Sequence, residues 1–234
     1  MNFIKDLELS ELYTLYSERD SSDKKCPICG SSGKNIFKDI KRCSSCKTQY
    51  RLLDAKAELV SDVDYLKDLN IMMGHIIGRY LNPFKPVLEV GCGKGDLLNT
   101  LQEDYRAYIT GLDINDNKRD GYKFPLYISR LENFDPPEIY DDVILTHVIE
   151  HFKDPVECLN KINSLLKPNG RVFIFTNEAD NFPIGCIEDL LKNPTHQQLI
   201  TEEGFKILAE KTGFKVVEYI RRWDYQIFTI LTKI

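Results

Sequence analysis

Residues 145–155 read LTHVIEHFKDP and place two histidines close to a glutamate. His147, Glu150 and His151 form the pattern H-x-x-E-H, which one class of zinc peptidases carries with both histidines on a single helix. In this chain an apolar, strand-like run precedes His147, and Asp154 is the predicted N-cap of the next helix. The spacing therefore predicts a connection between a strand and a helix rather than a peptidase helix.

Three roles stay open for the residues of this connection. His147 or His151 could act as a general base, because histidine titrates close to neutral pH. Alternatively, the two histidines and Glu150 could hold a divalent metal together with the distant His196, and the metal would lower the pKa of an acceptor hydroxyl. The third possibility is that these side chains only form the wall of a pocket.

Four cysteines form a second candidate site. Cys26 and Cys29 lie in CPICG, and Cys43 and Cys46 lie in CSSC, which gives the spacing C-x2-C-x13-C-x2-C. Four thiolates on two tight turns suit tetrahedral Zn²⁺, and a full set leaves no position for a water molecule. The segment resembles a zinc ribbon, with a structural metal that supplies folding energy to a short polar segment. A redox role and unrelated free cysteines are the alternatives.

A glycine-rich turn, VLEVGCGKGD at 87–96, follows a short apolar run. Gly91, Gly93 and Gly95 permit a tight turn and a close approach of the backbone to a ligand. The turn therefore predicts a nucleotide-type cofactor at the N-terminus of the following helix. Asp113 ends the next predicted strand, where an acid can accept hydrogen bonds from both hydroxyls of a ribose.

The residues around these glycines favour a cationic cofactor. The dinucleotide pattern G-x-G-x-x-G would require glycine at the position of Asp96, and no Lys-Ser/Thr pair of a P-loop follows. Glu89 precedes the glycines, where it would repel a pyrophosphate. The same carboxylate would attract the sulfonium and ammonium groups of S-adenosylmethionine.

Several blocks in a fixed order, EVGCGKG, GLDI, YDDVILTHVIEHFKDP, LLKPNGRVFI and EKTGF, together resemble class I S-adenosylmethionine-dependent methyltransferases over residues 60–234. The resemblance implies that Asp113 holds the ribose and that Ile114 packs on the adenine. Relatives often carry an adenine-binding acid where this chain has Arg130, which leaves the backbone N–H of Leu131 for that contact. The cofactor-binding residues implied are Glu89, Gly91, Cys92, Gly93, Gly95, Asp113, Ile114 and Leu131.

The elements that must position these residues alternate between strand-like and helix-like runs from about residue 60. Residues 1–54 are predicted to form an N-terminal helix and the zinc ribbon, and residues 55–234 the methyltransferase domain. Alternation predicts an α/β fold with a doubly wound, mostly parallel sheet. The resemblance implies a Rossmann-like sheet of seven strands. The last two predicted strands have no helix between them, which predicts an antiparallel C-terminal hairpin at the edge of the sheet. One helix is predicted from Asp154 to an exit marked by Pro168 and Gly170.

Composition narrows the function further. The chain is 42% hydrophobic and 29% charged, and its net charge of −5 argues against a dominant nucleic-acid surface. No apolar run is long enough for a membrane span and no signal core is evident, which predicts a cytoplasmic protein without membrane partners.

We expect methyl transfer to a small polar acceptor, favouring a hydroxyl of a sugar or related metabolite. The alternatives are an RNA or tRNA methyltransferase that binds nucleic acid through the ribbon, and a non-catalytic cofactor-binding partner protein. The sequence indicates no oligomeric state.

Overall fold

The computed structural model of the 234-residue chain describes residues 24–37, 39–52, 67–177, 179–180, 190, 193, 195–221 and 226–234. The helix predicted over residues 1–19 lies outside the described residues. The predicted boundary between residues 54 and 55 does so as well.

The described residues contain eleven strands and four α-helices. The strands are β1 (Gly33–Phe37), β2 (Ile40–Cys43), β3 (Gln49–Arg51), β4 (Pro86–Val90), β5 (Tyr108–Asp113), β6 (Leu126–Ile128), β7 (Tyr140–Thr146), β8 (Leu166–Asn177), β9 (Gln198–Leu199), β10 (Phe214–Arg221) and β11 (Gln226–Lys233). The helices are α1 (Lys67–Gly78), α2 (Asp96–Tyr105), α3 (Pro155–Leu165) and α4 (Glu202–Lys211). Two short 3₁₀ turns lie at Leu131–Asn133 and Ile149–His151.

The larger sheet has seven strands in the order β10-β11-β8-β7-β4-β5-β6. Strands β4 to β8 run parallel to one another, whereas β11 is antiparallel to β8 and to β10. This arrangement confirms the predicted Rossmann-like sheet with an antiparallel C-terminal hairpin. The strand order reverses at β4, which lies between β5 and β7, and ligands of doubly wound sheets bind at such a switch point, outside the carboxyl ends of the strands.

Apolar residues fill both faces of this sheet. Val87 and Leu88 of β4 are fully buried, because helices cover a parallel sheet on both sides. One buried cluster lies with α3 and α4, and the other lies with α1 and α2. The central strands therefore hold the loops at their carboxyl ends on a rigid base.

Helix α3 begins as the sequence predicts but ends earlier. The Asp154 carboxylate accepts a hydrogen bond from the N–H of Glu157 at 2.9 Å, and Pro155 occupies the first turn. The helix ends at Leu165 rather than at the predicted exit marked by Pro168 and Gly170, since the residue before a proline is driven toward extended conformations. Strand β8 begins directly afterwards.

A second, four-stranded sheet carries the cysteines. Its order is β1-β2-β3-β9, and all its pairs are antiparallel. Strands β1 to β3 come from the cysteine-rich segment, whereas β9 lies about 150 residues later in the chain. Ile28 and Tyr50 belong to the same buried cluster as Phe205 of α4, so the ribbon and the larger sheet share one core. None of the helices in the described part of the chain has the length and apolar character that a bilayer span requires.

Candidate active site

A cavity of about 800 Å³ opens at the carboxyl ends of the parallel strands. This volume lies within the range of small-molecule sites. Two of the predicted site residues, Gly95 and Glu150, lie beside the cavity without lining it. Ten predicted site residues line it, namely Glu89, Gly91, Cys92, Gly93, Asp113, Ile114, Leu131, His147, His151 and His196.

The glycine-rich turn after β4 has three residues at positive φ. A Cβ on Gly91 (φ +71°) would lie 2.4 Å from Cγ2 of Val148, and one on Gly95 (φ +81°) would lie 2.3 Å from Cζ of Phe124. A Cβ on Gly93 (φ +52°) would meet nothing within 4 Å. The outer glycines therefore permit tight packing, and the middle one borders open space where a ligand can approach.

The carboxylate of Asp113 is oriented by two backbone groups. Oδ2 accepts a hydrogen bond from the N–H of Gly93 at 2.8 Å, and Oδ1 accepts one from the N–H of Asn115 at 3.0 Å. Each carboxylate oxygen can accept more than one hydrogen bond. Asp113 is thus held at the end of β5 with capacity left for the hydroxyls of a ribose.

Glu89 is a buried acid with an unsatisfied oxygen. Its side chain is 3% exposed, and Oε2 has no hydrogen-bond partner. Burial, followed by the nearby charges of Asp113 and Asp96, raises the pKa of Glu89 well above its usual range. A cation in the cavity would give this oxygen a partner, so the residue fits the ammonium group of S-adenosylmethionine.

Asp96 makes contacts that the sequence did not reveal. The guanidinium of Arg119 donates to both of its carboxylate oxygens at 2.6 and 3.1 Å, and the hydroxyl of Tyr122 donates at 2.9 Å. Sequence spacing carries no signal for this cluster, because Arg119 lies 23 residues away in an irregular segment. Asp96 therefore anchors the start of α2 to that segment.

Ile114 and Leu131, which the resemblance predicts to contact an adenine, both line the cavity. Ile114 is 38% exposed beside Asp113. Leu131 opens a one-turn 3₁₀ helix, whose first N–H groups have no partner within the turn. Arg130 lines the cavity at the position where the resemblance predicts an acid.

The loop after β7 begins with a strained histidine. His147 has φ +52°, a region that non-glycine residues seldom adopt. Its N–H donates to the carbonyl oxygen of Phe175 at 2.8 Å, and its ring meets the Phe175 ring edge-on with centroids 5.1 Å apart. Nδ1 of His147 lies 3.3 Å from Oε1 of Glu150 and donates to it, since a carboxylate only accepts. These contacts hold the imidazole between Phe175 and Glu150.

Glu150, His151 and His196 form a compact group of potential metal ligands. One ligand atom from each lies within 4.8 Å of the others, and the two imidazole centroids are 4.7 Å apart. Oε2 of Glu150 is buried without a hydrogen-bond partner. Nδ1 of His151 lies 3.3 Å from the carbonyl oxygen of Thr195 and must be the donor, which leaves the lone pair of Nε2 for a metal or a proton. His147 lies outside this group.

The electrostatics keep this group ready to bind a cation. Burial favours the neutral form of Glu150, but the hydrogen bond from His147 and the charges of the histidines outweigh it and lower the pKa of Glu150 to about 2. Burial also lowers the pKa of His151, and this effect exceeds the opposite effect of the Glu150 carboxylate. At neutral pH the group therefore presents a carboxylate and a neutral imidazole, the forms that ligate metals.

The four predicted zinc ligands also meet in space. Their sulfur atoms lie within 4.8 Å of one another, with Cys26 and Cys46 at 3.6 Å and Cys29 and Cys43 at 3.3 Å. A tetrahedral ion with Zn–S bonds of about 2.3 Å needs sulfurs roughly 3.8 Å apart. A hydrogen bond from Cys26 lowers the pKa of Cys46 to about 5, so one thiolate is favoured without a metal. The cluster could hold a metal ion.

Comparison with known proteins identifies the family. Residues 65–219 match the family described as "Methyltransferase domain". The chain belongs to this methyltransferase family. The prediction of a class I S-adenosylmethionine-dependent methyltransferase is therefore confirmed at the level of the family.

Curated relatives of the methyltransferase are named "Ubiquinone biosynthesis O-methyltransferase". The protein of Aeromonas salmonicida (strain A449) is 31% identical over 110 residues, which cover 39% of this chain and 43% of the relative. The protein of Yersinia enterocolitica serotype O:8 / biotype 1B is 32% identical over 110 residues, covering 39% and 42%. The chain thus spans less than half the length of these relatives.

Solved structures confirm the fold. A chain from the complex between the Haloferax volcanii Trm112 methyltransferase activator and a methyltransferase has a TM-score of 0.61 at 16% identity, covering 72% of this chain and 92% of that one. Magnesium protoporphyrin IX methyltransferase (ChlM) from Synechocystis PCC 6803 with bound SAH has a TM-score of 0.57 at 16% identity, covering 76% and 90%. At these identities the likeness concerns the fold alone.

The methyltransferase also brings residues to its cavity that the sequence did not single out. Asn70 of α1 and Gln226 of β11 line the cavity although Gln226 lies 156 residues further along the chain. They could not be found by spacing, because only the pairing of β11 with β8 brings Gln226 beside Asn177 at this edge of the sheet. Their carboxamides add polar groups to the wall.

Proposed function

We propose that the protein transfers a methyl group from S-adenosylmethionine to a hydroxyl oxygen of a small polar acceptor, such as a sugar or related metabolite. The observation that carries the proposal is the shared cavity. The glycine turn with Glu89 and Asp113 lines one part of it, and His151 and His196 line another. A cofactor held at the first part would present its methyl group to an acceptor held at the second.

The residues of the first part have separate tasks in this proposal. When bound, S-adenosylmethionine supplies a methyl group on a sulfonium, which is electrophilic. Glu89 pairs with the ammonium group of the cofactor, and Asp113 accepts hydrogen bonds from the ribose hydroxyls. Ile114 and the backbone N–H of Leu131 contact the adenine. Alignment of the reacting atoms is the main contribution to the rate of such a displacement.

The acceptor side holds a divalent metal in this proposal, on Glu150, His151 and His196. When bound, the ion lowers the pKa of the acceptor hydroxyl and orients its oxygen. The unsatisfied Oε2 of Glu150 and the free lone pair of His151 Nε2 support this role. His147 orients Glu150 through their hydrogen bond. A mechanism in which His147 or His151 is the general base, without a metal, is the competing arrangement.

A small hydroxylated acceptor is supported by two observations. The curated relatives are named as O-methyltransferases of ubiquinone biosynthesis, which supports transfer to oxygen. The cavity wall carries the carboxamides of Asn70, Asn177 and Gln226, which can donate hydrogen bonds to hydroxyl groups and accept hydrogen bonds from them. The clustered thiols further support Zn²⁺ in the ribbon and a reducing, cytoplasmic location.

Calorimetry and a methyl-transfer assay test the proposal together. Wild type should bind S-adenosylmethionine, whereas Asp113→Ala should bind it about tenfold or more weakly, and the exposed Glu103→Gln should behave as wild type. A panel of hydroxylated acceptors should reveal transfer that needs added Mg²⁺ or Mn²⁺ and is lost in His196→Ala. Absence of cofactor binding would overturn the proposal. Transfer that needs neither the added ion nor His196, but is lost in His147→Ala, would indicate a general base instead of a metal.

A further inference from the structure

The ribbon contacts the candidate active site through one short strand. Tyr50 of β3 pairs with Gln198 of β9, and the N–H of Arg51 donates to the carbonyl oxygen of Gln197 at 2.8 Å. The guanidinium of Arg51 donates through Nε to the carbonyl oxygen of His196 at 2.8 Å. Arg51, which comes five residues after the last of the four cysteines, therefore binds the main chain of His196, a candidate metal ligand.

The same segment is bound on its other side by the loop after β7. The N–H of Gln197 donates to the carbonyl oxygen of Glu150 at 2.8 Å. The carboxamide of Gln198 donates to the carbonyl oxygens of Ile149 and Phe152 at 3.0 and 2.8 Å. Residues 196–198 thus lie between the ribbon and the loop that carries Glu150 and His151.

Arg51 lies close to the cysteine cluster along the chain and pairs with Ile40 of β2. Cys46 lies five residues before it, and the carbonyl oxygen of Cys46 accepts a hydrogen bond from the hydroxyl of Thr201. Nη1 of Arg51 also lies 3.2 Å from Oδ2 of Asp39, and the Arg51 side chain is only 11% exposed. Strand β9 has only two residues and is too short to be stable alone. Its position therefore depends on the pairing with β3 and on the hydrogen bond from Arg51 to His196.

We propose that Arg51 is a positioning residue, and that the metal-bound ribbon uses it to hold His196 against Glu150 and His151. The ribbon is then part of the acceptor side of the site rather than a separate folding unit. The inference rests on the proposed function for the role of these three ligands. It assigns no contact with the cofactor to Arg51, which lies outside the cavity lining.

Variants of Arg51 test this coupling in the full chain loaded with Zn²⁺. Arg51→Met keeps the aliphatic stem but removes the hydrogen bonds of the guanidinium, and Arg51→Lys retains the charge. Lys34→Met on the exposed side of β1 is the matched control. Hydrogen exchange is measured for the amides of residues 195–200, and the imidazole ¹⁵N shifts of His196 are followed without substrate. Mn²⁺ affinity and S-adenosylmethionine affinity are measured by calorimetry.

Arg51→Met should speed exchange of the 195–200 amides by about tenfold and weaken Mn²⁺ binding by about the same factor. Its affinity for S-adenosylmethionine should stay within about twofold of wild type, because Glu89 and Asp113 are untouched. Arg51→Lys should restore part of the Mn²⁺ affinity, and Lys34→Met should change neither quantity. In a transfer assay, kcat should fall while KM for the cofactor is unchanged.

Unchanged exchange at residues 195–200 and unchanged His196 shifts in Arg51→Met would overturn the inference. Equal losses of Mn²⁺ and cofactor affinity would also overturn it, since they indicate general destabilisation. These readouts separate the inference from the proposed function. If wild type binds no S-adenosylmethionine, the proposed function fails while the exchange experiment still tests the link between Arg51 and His196.

Discussion

Replacing Glu89 by glutamine should stabilise the free protein and weaken cofactor binding at the same time. The substitution keeps the shape of the side chain and removes its charge. In the free protein this carboxylate is 3% exposed, and its Oε2 has no hydrogen-bond partner. Its ionised form is therefore disfavoured until a cation enters the cavity.

The magnitudes follow from the environment of the carboxylate. Removing this buried carboxyl group, whose ionisation burial disfavours, should raise the free energy of unfolding by about 1–3 kcal/mol at pH 8. For a chain of this size each kcal/mol shifts Tm by roughly 2–4 °C. Loss of a charge-assisted hydrogen bond of about 1.5–3 kcal/mol to the ammonium group should weaken S-adenosylmethionine binding by roughly 10- to 100-fold.

The pH dependence gives a third check, with a definite sign. Because the pKa of Glu89 is raised in the folded state, the folded protein retains a proton that the unfolded chain has released above about pH 4.3. The wild-type free protein should therefore lose stability relative to Glu89→Gln as the pH rises from there to the raised pKa. Above that pKa the difference between the two proteins should be constant.

Thermal unfolding between pH 4 and 9 and calorimetry with S-adenosylmethionine supply the measurements. Glu103→Gln, an exposed change of the same type on α2, is the control and should alter neither stability nor affinity. A Glu89→Gln protein that is less stable than wild type without cofactor would refute the account of an unsatisfied charge. Unchanged cofactor affinity would show that Glu89 does not pair with the ammonium group.

Three further predictions concern the turn, the ribbon and the ribose contact. Gly91→Ala should lower the free energy of unfolding by about 2–4 kcal/mol, because the new Cβ would lie 2.4 Å from Val148 and φ at this position is +71°. In urea unfolding, adding Val148→Ala to this variant should recover the part of the loss due to the clash, but not the part due to the positive φ. Metal analysis should find about one zinc per chain, and Cys26→Ser should lose it with a lower Tm, whereas full zinc retention would contradict the four-thiolate site. Asp113→Asn should weaken S-adenosylmethionine binding by about tenfold in calorimetry without the gain in Tm expected for Glu89→Gln, because Asp113 is already hydrogen-bonded. An increase in Tm in that variant would argue against this view of its carboxylate.

Local patterns in the sequence were sufficient for the parallel sheet and for the candidate ligands. Apolar runs, caps and glycines act within a few residues, so the turn at Gly91 to Gly95 and the N-cap at Asp154 could be read directly. The spacing of the cysteines has the same local character, because two tight turns bring each pair together. The end of α3 was predicted too late. The residue before Pro168 favours an extended backbone, and the pairing of β8 with β7 already begins at Leu166.

The sequence by itself determined which side chains end each strand of the sheet, and therefore that Glu89, Asp113 and His147 meet at one edge. Only the tertiary structure decided that β9 pairs with β3 and that Arg51 reaches His196, 145 residues further along the chain. Such a contact leaves no trace in local spacing, because it depends on the packing of two sheets against one core. The same packing leaves one carboxylate oxygen of Glu89 and one of Glu150 without a partner, and a ligand can supply the missing contact.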